Sequence, residues 1–207
     1  MEKTKLRIGI SMRVTDAVGY LEKRDSIAQD WTKYLSTIFP NENWLFIPNV
    51  GSSVSEYAKK WNLNAFILSG GENIGTSPNR DVTEFTLLDY AIKNNFPVIG
   101  ICRGLQLIYT KFGGVVEAQN SDFTNIHRAK KHSILFNGEF KKVNSYHDNK
   151  LIEANKPKEF KIIARCSEDQ SIEAIIYNNL LGLMWHPERE EQITDWDTII
   201  IKDFLNQ

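Results

Sequence analysis

Short apolar runs alternate, through the first half of the chain, with stretches whose apolar residues return at helical spacing. Leu6–Ser11 reads as a buried strand. From Asp25 onward, Ile27, Trp31, Leu35 and Ile38 recur on one helix face until Pro40 stops the pattern. Trp44–Ile47 is the next strand, and Ser53 with Glu56 forms a capping-box signature for a helix through Trp61. Ala65–Leu68 predicts a third strand, ending in Ser69-Gly70-Gly71. Asp81 and Glu84 repeat the capping signature before a helix carrying Phe85, Leu88 and Ile92. Pro97–Ile101 predicts a fourth strand, and Leu105–Phe112 a helix stopped by Gly113-Gly114.

This alternation predicts an α/β fold: a parallel sheet with helices on both faces. The second half reads differently. Ser133–Phe136, Phe160–Ala164, Ile172–Tyr177 and Leu180–Met184 are strand-like with no long helix between them, which predicts antiparallel C-terminal strands closed by a last helix near Asp195–Leu205. No repeat, low-complexity segment or Pro/Gly/Ser-rich linker divides the sequence, so residues 1–207 are expected to form one domain. A chain of 207 residues can bury a sizeable core without disulfides or a structural metal.

Charge removes some function classes. With 25 basic and 26 acidic residues, the chain has no global attraction to nucleic acid or an anionic membrane. The small basic cluster Arg128, Lys130, Lys131 and His132 reads as a solvated loop. Two cysteines, Cys102 and Cys166, make no disulfide framework and fit a reduced setting. Residues 1–5 run into the apolar Leu6–Met12, which is too short for a membrane span and lacks the pattern of a signal peptide. The expectation is a cytoplasmic protein.

The most informative stretch is Pro97-Val98-Ile99-Gly100-Ile101-Cys102-Arg103-Gly104-Leu105-Gln106. An apolar strand runs into Cys102, a glycine lies two residues away on each side, and a helix follows at once. That is a strand–turn–helix elbow, as α/β hydrolases use to present a nucleophile. The glycines let strand and helix backbones approach where side chains would collide. The positive helix end favours an anionic sulfur, and the N–H of Arg103 can point at a developing oxyanion. Alone, Gly-x-Cys-x-Gly supports an inert packed cysteine about as well as a catalytic one.

Trp185-His186-Pro187-Glu188 decides between them. A thiol nucleophile needs a base, and the base needs an acceptor that fixes its tautomer. Residues two apart in an extended chain point the same way, so one strand end can offer both His186 and Glu188. Pro187 biases His186 toward extended conformations. Among the other histidines, His127, His132 and His147, none combines a strand end with a carboxylate two residues on. No pair of histidines or cysteines has a short metal-ligand spacing, so no metal site is expected. Cys166, beside Arg165 on a predicted strand, reads as structural.

Gly100–Gln106 together with Trp185–Glu188 resemble the class I glutamine amidotransferase superfamily. Ser69-Gly70-Gly71, Val143-Asn144-Ser145-Tyr146-His147 and Arg80-Asp81-x-x-Glu84 narrow the resemblance to its γ-glutamyl hydrolase, peptidase C26-like branch. The likeness spans nearly the whole chain in element order and implies the flavodoxin-like fold of that superfamily. It implies Cys102 as nucleophile, His186 as base and Glu188 as orienting acid, with the N–H groups of Gly71 and Arg103 as oxyanion hole. It implies a substrate site of Gly70, Gln106, Ser145, Tyr146 and His147, in which Gln106 and the backbone around Ser145–Tyr146 hold the glutamyl amino and carboxylate groups. No cofactor and no obligatory protein partner are implied, and the substrate is a small γ-glutamyl compound.

The sequence departs from the superfamily in the loop Gly70-Gly71-Glu72-Asn73-Ile74-Gly75, where synthetase-linked glutaminases carry Gly-Gly-Pro-Gly-Ser. The chain is also short for the branch, which implies a trimmed, open pocket. No phosphate-binding loop is present, so ATP-driven ammonia transfer within this chain is not expected. The substrate most strongly implied is L-γ-glutamyl-CDP-amidate, split into glutamate and cytidine diphosphoramidate, a step of bacterial capsule synthesis. Arg13, Arg24 and Arg80 are candidates for the diphosphate and read equally as surface charges. Three alternatives stay open: a γ-glutamyl-γ-aminobutyrate hydrolase, a glutaminase subunit feeding a separate synthetase, and a non-catalytic binding or sensor protein.

Overall fold

A computed structural model describes residues 5–206; Met1 to Thr4, on which part of the leader-peptide reading rests, and Gln207 lie outside the described residues. The chain begins with strand β1 (Arg7–Ser11), followed by a hairpin of β2 (Arg13–Asp16) and β3 (Lys23–Ser26). Helix α1 (Gln29–Ile38) therefore starts later than the periodicity from Asp25 predicts. The residues before it are paired as strand, and the buried face of the helix is Trp31, Tyr34, Leu35 and Ile38. Strand β4 (Asn43–Ile47) and helix α2 (Val54–Lys60) follow. Ser53 does not cap that helix, because it sits with φ −74° and ψ −4° in a short 3-10 turn.

Strand β5 (Ala65–Leu68) leads to helix α3 (Pro78–Lys93), which begins at Pro78, whose fixed φ suits a first helical position. Asp81 and Glu84 thus lie inside the helix, and their carboxylates serve Arg103 instead of a helix end. Strand β6 (Val98–Ile101) and helix α4 (Arg103–Lys111) form the elbow. Beyond it come β7 (Val115–Ala118), α5 (Ser121–His127), β8 (Arg128–Phe136), β9 (Glu139–Tyr146) and β10 (Asn149–Ile152). The chain closes with β11 (Lys161–Cys166), β12 (Ile172–Tyr177), β13 (Leu180–Leu183) and α6 (Asp195–Leu205).

Nine strands form one sheet in the order β4-β1-β5-β6-β13-β12-β11-β8-β9. The first five pair in parallel and the last four antiparallel. Every residue of β5, β6 and β13 is buried, so both faces of the centre are covered, and α4 lies on the face of Gly100 and Gly182. The basic cluster is not a loop. It is strand β8, alternating with Lys131 and Ser133 outward and His132 and Ile134 inward. Among the described residues no helix is long and apolar enough to cross a membrane.

One topological fact places the site. Strand β13, late in sequence, inserts beside β6 in parallel, with Leu183 opposite Ile101. The two strand ends that carry Cys102 and His186 are thereby neighbours, and the Cys102 N–H donates to Leu183 O at 2.7 Å.

Candidate active site

Cys102 stands between β6 and α4 with φ +51° and ψ −100°. That left-handed backbone costs an L-residue about 1–3 kcal/mol, so the packing around it must hold it there. The packing is visible at the glycines. A Cβ on Gly100 would strike the backbone of Gly104, and one on Gly104 would strike the Leu68 carbonyl. Arg103 is the first residue of α4, where an N–H has no intrahelical acceptor.

His186 is 2% exposed, and its Nδ1 lies 2.7 Å from Glu188 Oε1. The pair does not come from an extended strand end, as the spacing suggests. His186 precedes a 3-10 turn over Pro187–Arg189, and the turn swings Glu188 back under the ring. Asn144 on β9 holds the backbone of His186 from both sides: its Nδ2 donates to His186 O at 2.7 Å and its Oδ1 accepts from His186 N at 2.9 Å. Burial opposes a charge on His186, but the Glu188 carboxylate and the thiol of Cys102 outweigh it and lift the imidazole to about 9. With Nδ1 committed to Glu188, Nε2 is the nitrogen left for the sulfur.

The loop after β5 is fixed by a buried ion network. Arg80 donates to the carbonyls of Ser69 at 2.8 Å and Gly70 at 3.1 Å, and pairs with Glu72 at 2.7 Å and Glu84 at 3.0 Å. Glu84 also accepts from the Ser11 hydroxyl at 2.7 Å and pairs with Arg103, which pairs with Asp81. A trans peptide points its N–H opposite its carbonyl, so anchoring Gly70 O on Arg80 turns the Gly71 N–H to the other side. Gly71 has φ +147°, and a Cβ there would strike Arg80. At Gly70 a Cβ would come within 2.6 Å of His186 Cε1, so this loop and the imidazole are in direct contact.

These contacts correct the reading of Arg80 as a diphosphate ligand, since it is 0% exposed and fully engaged. Arg24 is exposed on the hairpin and paired with Glu22. Arg13 differs from both: its Cβ is packed 3.1 Å from the ideal Cβ position of Gly71, and its Nε has no partner among the described residues.

The expected substrate residues separate into two groups. Gln106 is buried, and its Oε1 accepts from Asn149 Nδ2 at 3.5 Å, which donates also to Asn73 Oδ1 at 2.8 Å. Tyr146 lies edge-on to the His186 ring at 5.7 Å and carries Arg189 over its own face at 4.7 Å. Ser145, however, spends its hydroxyl on His127 O at 2.6 Å. The His147 ring turns away, with Nδ1 2.9 Å from Asn149 O and Nε2 3.6 Å from Glu173.

His147 thus joins a second cluster, with His127, His132, Cys166 and Glu173, in which all five residues are buried. Spacing along the sequence gives no sign of it, because α5, β8, the turn after β9, β11 and β12 each supply one member. Asn144, Asn149 and Arg80 as positioning groups likewise escape sequence reasoning. Arg80 and Asn144 stand in the Arg80-Asp81-x-x-Glu84 and Val143–His147 motifs, but nothing in those motifs tells what they position.

Comparisons with known proteins give the family. A model of the Glutamine amidotransferase class-I family matches residues 36–207. The γ-glutamyl-CDP-amidate hydrolase of Campylobacter jejuni is 32% identical over 199 residues, 91% of this chain and 92% of its own. The glutamine-hydrolyzing GMP synthase subunit of Methanocaldococcus jannaschii is 28% identical over 76% of this chain and 80% of its own. In fold, a glutamine amidotransferase from Thermotoga maritima superposes with a TM-score of 0.64 at 15% identity, covering 97% of this chain and 84% of that one. The chain belongs to the class I glutamine amidotransferase family.

Proposed function

We propose that this protein hydrolyses a γ-glutamyl amide bond, with Cys102 as nucleophile, His186 as proton carrier and Glu188 as the acid that orients it. The observation that carries the reading is the convergence of a strained cysteine elbow with a Glu188-bound imidazole on neighbouring strand ends. The Cys102 sulfur attacks the γ-carbonyl while the N–H groups of Gly71 and Arg103 take the oxyanion. His186, in its protonated form, delivers its proton to the departing nitrogen as the C–N bond breaks, leaving a glutamyl thioester. Water then attacks the thioester, neutral His186 accepts its proton, and glutamate and the free thiol are released.

The substrate we assign is L-γ-glutamyl-CDP-amidate, giving glutamate and cytidine diphosphoramidate. Supporting this are the near-complete mutual coverage with the Campylobacter hydrolase and Arg13, whose Cβ packs beside Gly71 and whose Nε has no partner among the described residues. A second reading, a glutaminase serving a separate synthetase, is favoured by the likeness to a glutamine-hydrolyzing GMP synthase subunit. A glutamate-release assay on purified protein separates them, comparing γ-glutamyl-CDP-amidate, γ-glutamyl-γ-aminobutyrate and glutamine. Turnover of the nucleotide conjugate far above the other two is expected. Preference for glutamine, rising when a synthetase partner is added, would replace the first reading with the second.

A further inference from the structure

Away from Cys102, three of the four histidines of the chain meet around one carboxylate. His127, His132 and His147 are at most 4% exposed, and Glu173 is 0% exposed. His127 Nδ1 lies 3.4 Å and His147 Nε2 3.6 Å from Glu173 Oε1, while His132 Nε2 lies 3.6 Å from Oε2. We propose that this cluster is a structural metal site for a zinc-class divalent cation. His127 Nδ1, His147 Nε2 and Glu173 are its first three ligands, and His132 Nε2 closes the fourth position.

Three observations carry the assignment. The separations are too long for N–H···O hydrogen bonds, which fall at about 2.7–3.2 Å. Two ligands of one tetrahedral ion with bonds near 2.0–2.2 Å stand about 3.3–3.5 Å apart, which is close to the spacing seen. Second, the atoms facing inward, His127 Nδ1, His132 Nε2, His147 Nε2 and Glu173 Oε2, are buried and have no hydrogen-bond partner among the described residues. Native interiors rarely leave even one such atom unpaired, and here three of the four lie on histidines gathered around the fourth, on Glu173. Third, the opposite ring nitrogens are occupied: His127 Nε2 meets Asp169 at 3.2 Å, His147 Nδ1 meets Asn149 O at 2.9 Å, and His132 Nδ1 meets Cys166 Sγ at 3.9 Å. Outer partners of this kind fix a histidine's tautomer and leave its inner nitrogen a lone pair for a metal.

The donor set is nitrogen-rich with one carboxylate, which suits zinc over calcium or magnesium. All ligands are buried and no position is left for substrate, so the ion holds structure instead of doing chemistry. What it would hold is the wall of the active site. Its ligands lie on α5, β8, β12 and the residue after Tyr146, and β9 runs from there through Ser145 to Asn144, which clamps His186.

The test uses the full chain purified from zinc-supplemented cells, with metal content by inductively coupled plasma mass spectrometry. About one zinc per chain is expected, and stripping it should lower Tm until one equivalent of Zn2+ restores it. Co2+ in its place should give the visible absorption of a four-coordinate site. Glu173→Gln should cut the stoichiometry at least tenfold, while Cys166→Ala retains it. Wild-type protein that carries no zinc and whose Tm ignores both ions overturns the proposal. Metal kept by Glu173→Gln and lost by Cys166→Ala overturns the ligand assignment in favour of the triad His127, His132 and Cys166. None of these readouts depends on turnover, so they stand or fall apart from the hydrolase reading.

Discussion

Both cysteines have imidazole neighbours and a carboxylate within the same cluster, yet their surroundings differ in everything except those side chains. Cys102 sits at a helix N-terminus on a left-handed backbone and remains 7% exposed. Cys166 ends strand β11 at 0% exposure, its N–H donating to Ser171 O, with His132 Nδ1 3.9 Å from its sulfur. Burial raises the Cys166 thiol, but His127 and His132 outweigh that and bring it down to about 7. A lowered thiol thus belongs to the cysteine that has no part in the proposed reaction. What distinguishes them is the backbone: Cys102 stands on a positive φ at the elbow between a strand and a helix, whereas Cys166 ends a strand.

The largest effect of mutation belongs to the cysteines themselves. Cys102→Ala should lower kcat by about 10⁴-fold or more, whereas Cys166→Ala should change it by less than about tenfold, both read by glutamate release. Next comes the ion network under the oxyanion loop. Arg80→Ala leaves Glu84 short of one partner in the interior and should cost about 3–5 kcal/mol in denaturant unfolding, with kcat falling as the Gly70 carbonyl is freed.

The third effect is a pH dependence. His186 is raised from 6.5 to about 9, so its proton is present at neutral pH and lost as pH rises through about 9. The kcat/KM profile should fall above that value, since the leaving nitrogen loses its proton donor; a plateau continuing well past it would remove His186 from the role. The same shift gives stability that is full below 6.5 and lost as pH rises through about 9, visible as a declining Tm. The smallest effect is at Arg13. Arg13→Ala should raise KM for the nucleotide conjugate by about tenfold while leaving glutamine turnover alone.

Much of the active site is legible in the sequence because its parts are local. Gly100, Cys102 and Gly104 lie within five consecutive residues, and Pro187 stands between the imidazole and its acid. The buried strands β1, β5 and β6 and the half-buried β4 read out as apolar runs. The β2–β3 hairpin does not, because Arg13–Asp16 and Lys23–Ser26 are partly exposed polar ribbons without an apolar face. The first half of β8, Arg128–His132, reads as a loop for the related reason that its lysines hide a period of two, whereas Ser133–Phe136 reads as strand. The histidine cluster is beyond local reading altogether. Its members are separated by 5, 15 and 26 residues and meet only once β12, β11, β8 and β9 have paired side by side. Spacing rules detect ligands on one turn or helix, and a site assembled across a sheet leaves no such trace.

The proposed reaction passes through a thioester at one sulfur. Acid quench during turnover, followed by peptide mass spectrometry, tests it most directly, with Glu188→Gln used to slow the second step. A mass gain of one glutamyl group is expected on the peptide carrying Cys102, and none on the peptide carrying Cys166. Steady turnover in Cys102→Ala, or an adduct on any other residue, would contradict it.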